Sequence, residues 1–269
     1  MLSRIKHQIG ERILHRLLPN QFYFKQSGFC PCCQQTTEFV AYHAWLRDSF
    51  RCVACGSSPR NRAMLLMLDK HRPNWPSLSI HESSPSVGGA SARLRSACSQ
   101  YVASQYFPNE PFGVPIKGFR NEDLESQTFA AETFDIVVTQ DVLEHVYNPA
   151  LVFAEIARTL KPGGAHIFSV PLVNKHQPSQ VWATRNSDGS AHFLHEPDFH
   201  GNPVDPRGSP VTMHWGYDIV DFIQQACGLA TVIEHVDDLE HGVRAEYIEI
   251  LVTEKPGLPD RRPGPMTAD

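Results

Sequence analysis

The chain has 269 residues, 41% of them hydrophobic and 20% charged, with a formal net charge of −5. This composition excludes a disordered or low-complexity protein, and the length suits one large domain or one domain with a small appendage. No apolar stretch reaches the roughly 20 residues that a bilayer-crossing helix needs. The net charge hides an asymmetry: residues 1–72 carry +7 and residues 73–269 carry −12. A basic front end of this kind either binds a polyanion or docks onto its own acidic body.

Residues 1–20 place Leu2, Ile5, Ile9, Ile13 and Leu17 at helical spacing, with Arg4, Lys6, Arg12 and Arg16 on the other faces. The charges interrupt every apolar run, so the segment is not a secretory signal. It is expected to be an amphipathic helix docked on its own protein, on a partner or on a membrane surface, and the chain is expected to be cytoplasmic.

Five of the seven cysteines fall in the next segment, 21–62. Cys30/Cys33 and Cys52/Cys55 form two CxxC pairs separated by eighteen residues, the spacing of a four-thiolate zinc ribbon. Cys32 competes with Cys33 for a place in that set. Cys98 and Cys227 are isolated and read as small buried residues. Arg60 and Arg62 follow the second pair, facing either the acidic body or an anionic substrate.

From residue 63 onward, strand and helix signals alternate. "LSIHES" (78–83) and "YVASQY" (101–106) read as strands around a helix at 91–99. "FDIVVTQ" (134–140) is a continuous apolar run, the mark of a strand buried on both faces. "NPALVFAEIARTL" (148–160) is an amphipathic helix with Asn148 as its cap and Pro149 in its first turn. "KPGG" (161–164) is expected to stop it, and "AHIFSVP" (165–171) is the next strand. Strands separated by helices imply parallel βαβ units and a doubly wound α/β body. Near the end, "ATVIEHV" and "YIEILVTEK" read as an antiparallel pair closing the sheet, and 255–269, rich in proline, as a disordered tail.

The stretch "FDIVVTQDVLEHVYNPALVFAEIARTLKPGGAHIFSVP" resembles the class I S-adenosylmethionine-dependent methyltransferases, in particular the methyltransferase type 11 group. Phe134-Asp135, Leu143-Glu144-His145 and Leu160-Lys161-Pro162-Gly163-Gly164 carry the likeness. The resemblance implies a doubly wound Rossmann-like methyltransferase sheet over 63–254, with the small four-cysteine zinc ribbon in front. It implies S-adenosylmethionine as cofactor, with Zn²⁺ structural. It assigns Glu82, Ser84, Ser86 and Gly88 to the turn after the first strand, and Gln105 to the end of the second. Asp123 and Leu124 would read the adenine, and Gln140 and Asp141 would stand at the methyl end. Some quinone-type O-methyltransferases use acids and a His like Asp141, Glu144 and His145 to hold a divalent cation; the alternative is that Glu144 and His145 cap the next helix. The sequence departs from the group at Ser84 and Ser86, where glycines are usual, and at Gln105, where an acid is usual.

Residues 176–216 form an insertion without evident elements, expected to be a loop that builds the acceptor side. It carries five histidines and several aromatic side chains. His145 and His214 are the candidate catalytic bases. His195, Glu196 and His200 are a metal alternative whose spacing fits no standard site. The implied activity is methyl transfer to a hydroxyl of a small-molecule or glycan-like acceptor. Two alternatives stand beside it: a nucleic-acid base methyltransferase that uses the zinc module, and a non-catalytic binding protein of the same fold.

Overall fold

The computed structural model describes residues 22–202 and 204–258. The helix expected over 1–20, and the tail beyond residue 258, lie outside the described residues.

The cysteine segment folds as a three-stranded antiparallel sheet of β1 (Phe24–Cys30), β2 (Gln35–Ala41) and β3 (Arg51–Cys52). Its small core is Phe39, Ala41 and Phe50. The two CxxC turns close alike: the Gln34 N–H donates to the Cys30 carbonyl and the Gly56 N–H to that of Cys52, both at 2.8 Å. A single helical turn, α1 (Leu46–Ser49), precedes β3, and α2 (Pro59–His71) leads into the body. Pro59 opens α2 where a missing N–H costs nothing.

The body contains β4 (Ser79–Ser83), α3 (Gly89–Ala97), β5 (Gln100–Gln105), β6 (Pro115–Ile116), β7 (Phe119–Asn121), β8 (Phe134–Gln140), α4 (Pro149–Thr159) and β9 (Leu160–Ser169). After the insertion come α5 (Ile219–Cys227), β16 (Thr231–Glu234) and β17 (Ile250–Glu254). One eight-stranded sheet runs in the order β16-β17-β9-β8-β4-β5-β7-β6. The β4, β5, β7, β8 and β9 ladders are parallel, and β17 is antiparallel to both its neighbours.

Alternation along the strands separates two cores. Ile80, Ile136, Val138, Ile167 and Val252 face α2 and α3. Val137, Phe168 and Leu251 face α4 and α5. Two histidines share that second face. His81 stacks on Phe134 and bonds Ser104 Oγ at 2.8 Å; His166 stacks on Phe168 and bonds Thr139 Oγ1 at 3.0 Å. Burial lowers both imidazoles to about 3, so they are neutral.

Two expectations change. "KPGG" does not simply end a helix. It forms a bulge inside β9, between the Phe134–Leu160 and Ile136–Ala165 pairs. The Lys161 ammonium reaches Asp135 at 2.8 Å, and Asp135 also accepts from the Ser79 N–H and hydroxyl. The Phe-Asp and Lys-Pro-Gly-Gly signatures are therefore two sides of one structural clasp at the N-terminal end of the sheet. Nor is the insertion without elements. β10 (Gln180–Val181) pairs with β15 (Met213–His214), β11 (Ala183–Arg185) with β12 (Ala191–Phe193), and β13 (Phe199–His200) with β14 (Ser209–Pro210). Runs of two or three residues are too short to show a period in sequence. Among the described residues, no helix is long and apolar enough to cross a membrane.

Candidate functional site

The chain passes from β4 outward to β5 and later returns to β8 on the other side of β4. That reversal opens a crevice beyond the carboxyl ends of β4 and β8, where ligands bind in open α/β sheets. Most of the anticipated residues gather there.

Glu82, near the end of β4, is 1% exposed and accepts from Ser91 Oγ (2.6 Å), Tyr101 OH (2.7 Å) and Gln140 Nε2 (3.0 Å). Burial pushes its carboxyl up, against the pull of those three donors. Its work is internal: it ties α3, β5 and the end of β8 together. Gln140 passes the link on, accepting from Asn61 Nδ2 at 3.2 Å. The turn after β4 takes the shape glycine would supply, although serine is present: Ser84 has φ 54° and donates its N–H to the Ser104 carbonyl. Ser86 Oγ donates to the Gly88 carbonyl at 2.7 Å. Gly88 faces open space, so an added Cβ would touch nothing within 4 Å and the backbone is free to approach a ligand. Gln105 is buried at the end of β5. Asp123 Oδ1 accepts from the Glu125 N–H at 2.9 Å, an Asx turn, and Leu124 packs into the core.

Asp141 departs from its expected part. It is left-handed, with φ 52°, and its Oδ2 lies 2.8 Å from Arg47 Nη2 and 3.0 Å from Arg60 Nη1. Ser169 Oγ donates to Oδ1. Burial raises its carboxyl, but Arg60 and Arg47 outweigh that and hold it at about 2. Asp141 thus anchors the cysteine segment at the crevice. Arg62 is fully buried, with its guanidinium under the Phe39 and Phe50 rings; it donates to the carbonyls of Ser57, Phe50 and Gly242. Arg60 and Arg62 both serve the protein's own interior, which answers the question left by the charge asymmetry for these two residues.

The four sulfurs of Cys30, Cys33, Cys52 and Cys55 form one cluster. Cys30–Cys55 is 3.8 Å and Cys33–Cys52 is 3.9 Å. A tetrahedron with zinc–sulfur bonds of about 2.3 Å has edges of about 3.8 Å, so this donor set fits Zn²⁺. Cys33, not Cys32, belongs to the cluster; Cys32 packs toward the cores.

Beyond Asp141, the "LEHV" corner is pinned by the insertion. The Thr212 N–H donates to the Glu144 carbonyl at 2.7 Å, and Trp215 Nε1 to that of Leu143 at 3.2 Å. Glu144 is 2% exposed, and neither carboxylate oxygen has a hydrogen-bond partner among the described residues. His145 Nδ1 bonds the Pro210 carbonyl at 2.8 Å. His200 meets the corner too, its ring 4.9 Å from that of His145. His214 lies apart in a stack, 3.8 Å from the Trp182 ring, with His195 on the same indole at 4.3 Å. Burial lowers its imidazole below the ordinary histidine value. Among the described residues no hydrogen bond or ring contact joins His145 to His214.

Residues 91–168 match the family model described as Methyltransferase domain. That stretch runs from α3 through β9 and contains the crevice side of β5 and β8. Two curated relatives are ubiquinone biosynthesis O-methyltransferases. The protein from Hahella chejuensis is 38% identical over 71 residues, 26% of this chain and 29% of its own length. The one from Photobacterium profundum is 46% identical over 52 residues, 19% of this chain and 21% of its own. The chain thus spans less than a third of the length of either relative. Among solved structures, an amino pentose methyltransferase from Micromonospora echinaspora aligns with a TM-score of 0.48 and 12% identity, over 74% of this chain and 92% of that one. A methyltransferase from Mesorhizobium loti aligns at 0.45 and 16%, over 71% and 97%.

Sequence reasoning misses several partners. Arg47 sits in a single turn with no periodicity to flag it. Ser91 and Tyr101 reach Glu82 from other elements. His200 stands in the sequence beside His195 and Glu196, yet in the fold it joins Glu144 and His145 across 55 residues of chain.

Proposed function

We propose that the chain is an S-adenosylmethionine-dependent methyltransferase that acts on a hydroxyl of a small-molecule or glycan-like acceptor, with Zn²⁺ structural in the four-cysteine cluster. The match of residues 91–168 to the methyltransferase domain carries this reading. The O-methyltransferase names of the two partial relatives favour oxygen as the atom methylated.

The open backbone at Gly88 and the left-handed turn at Ser84 fit a cofactor laid against the end of β4. When bound, S-adenosylmethionine supplies an electrophilic methyl group on a sulfonium. Glu82, held by three donors, keeps the loop and Gln140 in place beneath it. Gln105 offers an amide to the ribose hydroxyls, and Asp123 and Leu124 border the adenine end. The corner at 141–145 faces the methyl end, where an imidazole, at His145 or His214, can take the acceptor's proton. A closed set of four thiolates leaves no coordination position for substrate, so the ribbon's zinc stabilises and does not react. The nucleic-acid alternative loses support because Arg47, Arg60 and Arg62 are engaged inside the protein.

Isothermal titration of the whole chain with S-adenosylmethionine tests the reading. Saturable binding at micromolar to millimolar cofactor is expected, weakened in a Gly88→Val variant. Absence of heat at millimolar cofactor would refute it.

A further inference from the structure

We propose that Asn61 is a positioning residue of the cofactor crevice, and that through it the metal-bound cysteine ribbon and S-adenosylmethionine strengthen each other's binding. The cofactor half of this statement rests on the methyl-transfer reading above.

Asn61 is the third residue of α2, and α2 starts directly behind the second CxxC turn. The join is tight. Ser57 Oγ lies 3.4 Å from Cys30 Sγ and 3.2 Å from Cys55 Sγ. The Ser57 carbonyl accepts from the Cys52 N–H at 3.1 Å and from the Arg62 guanidinium. Ser57 is 2% exposed and Ser58, the cap of α2, 1%. The start of α2 is therefore built onto the cysteine cluster rather than hinged from it.

From there Asn61 reaches both sides of the crevice. Its Nδ2 donates to Gln140 Oε1 at 3.2 Å, at the end of β8. On the other side it lies against Gly89, the first residue of α3, so closely that a Cβ there would collide with the Asn61 amide. Gln140 Nε2 donates to Glu82 Oε1 at 3.0 Å, and Glu82 also holds Ser91 of α3 and Tyr101 of β5. The turn that faces the cofactor, 84–88, is strung between Glu82 and Gly89. Both of its ends are thus tied to Asn61, one by contact and one through Gln140.

The order of donors and acceptors fixes which side chain can stand here. Glu82 collects three donors, so Gln140 turns its NH₂ toward Glu82 and its oxygen toward Asn61. Asn61 then offers its own NH₂, which leaves Oδ1 for the Ser58 N–H, 3.4 Å away. A carboxylate in its place keeps the bond to Ser58 but sets oxygen against the Gln140 oxygen. The first turn of a helix depends on such caps, because its N–H groups have no partners within the helix. Loss of the metal frees the four thiols, Ser57 and Ser58 lose their support, and the first turn of α2 frays. That turn therefore has two states, and the metal favours the capped one. Only the capped state holds Asn61 between Gln140 and Gly89. A ligand that prefers the same state is coupled to the metal, and the coupling is reciprocal.

Two titrations of the whole, zinc-loaded chain test this. In the first, S-adenosylmethionine is titrated into wild type and Asn61→Asp. An acid suits the first turn of a helix, so Tm and zinc content should hold in the variant, while the cofactor Kd rises roughly fivefold or more. In the second, zinc affinity is measured by competition with a chelator, with and without saturating cofactor. Cofactor should tighten zinc binding in the wild type by about fivefold or more and leave it unchanged in Asn61→Asp. A folded Asn61→Asp variant that binds cofactor as tightly as the wild type, or a wild-type zinc affinity indifferent to cofactor, would overturn the proposal. The second measurement needs no variant, so it decides even if Asn61→Asp fails to fold. The two readings fail differently: no heat with the wild type sinks cofactor binding and the coupling with it, whereas wild-type binding that Asn61→Asp matches sinks the positioning role alone.

Discussion

Replacing Asp141 with Asn removes one charge and little else. Asn tolerates the left-handed conformation that Asp141 adopts at φ 52°, so the backbone need not move. The side chains involved are sheltered, with 7% exposure for Arg47, 17% for Asp141 and 23% for Arg60. The carboxyl is held at about 2 against an ordinary value of 3.8. That difference corresponds to roughly 2.5 kcal/mol favouring the charged form, already net of the burial that opposes it. The variant also leaves two neighbouring guanidinium groups with the more exposed Asp48, 3.6 Å from Arg60, and the more distant Glu144 as counter-charges. Removing one partner of a buried pair costs about 3–5 kcal/mol. A loss of about 3 kcal/mol is therefore expected, lowering Tm by roughly 6–12 °C for a chain of this size. Urea unfolding at pH 7 followed by circular dichroism should show a lower midpoint at unchanged slope. The sign with pH follows from the depressed value: the stabilisation is present above about pH 4 and is lost as pH falls through about 2. The gap between wild type and variant should close over that window. An unchanged midpoint at pH 7 would refute the reasoning.

Acid should expose the two sheet histidines. His81 and His166 are held near 3 in the fold against 6.5 when free, so the unfolded chain binds more protons between those values and stability falls as pH drops below about 6.5. Each contributes roughly 2 kcal/mol of loss by pH 5, and His81→Phe, which keeps the stack on Phe134, should flatten the measured stability–pH slope by one proton. Gly89 has φ +63° and an added Cβ would run into Asn61 Oδ1, so Gly89→Ala should cost at least about 1–2 kcal/mol in a denaturant melt. Metal analysis of the purified protein should return about one zinc held by the cysteine cluster; Cys52→Ser should lose it and melt early, and Cys98→Ser should keep it.

The parallel strands are legible because each is a short apolar run bounded by polar residues, as "FDIVVTQ" shows at its observed limits Phe134–Gln140. The helix after it is legible from its cap: Asn148 Oδ1 accepts from the Leu151 N–H at 3.3 Å. The cysteine spacing is enough to bring Cys30, Cys52 and Cys55 together with one more thiol, though not to choose Cys33 over Cys32, since that choice depends on how the first turn folds. What stays hidden is the partnership of charged groups across long sequence distance. Arg47 and Asp141 are 94 residues apart, and neither neighbourhood carries a signal of the other. The corner acids therefore read differently in sequence and in space: Asp141 reads toward ligand, where two arginines hold it. Glu144 reads either toward a cation or toward a cap, and its carboxylate accepts no hydrogen bond among the described residues.

The corner at 141–145 explains why both appendages belong to the body. The cysteine segment reaches it from the front through Arg47, and the insertion reaches it from behind through Thr212 and the Pro210 carbonyl. Residues 141–145 follow a strand edge and contain no regular element of their own, so on their own they would sample many conformations. Those links and the Trp215–Leu143 bond leave them one. Arg62 makes the same point from the other side of α2: it is 0% exposed, with Phe39 and Phe50 of the cysteine segment covering its guanidinium. Without that segment its guanidinium would lose the Phe50 and Ser57 carbonyls, and Asp141 would keep one arginine in place of two. A ribbon that only tethered a partner would not need an arginine at the lip of the crevice, so zinc occupancy and the shape of the crevice should rise and fall together.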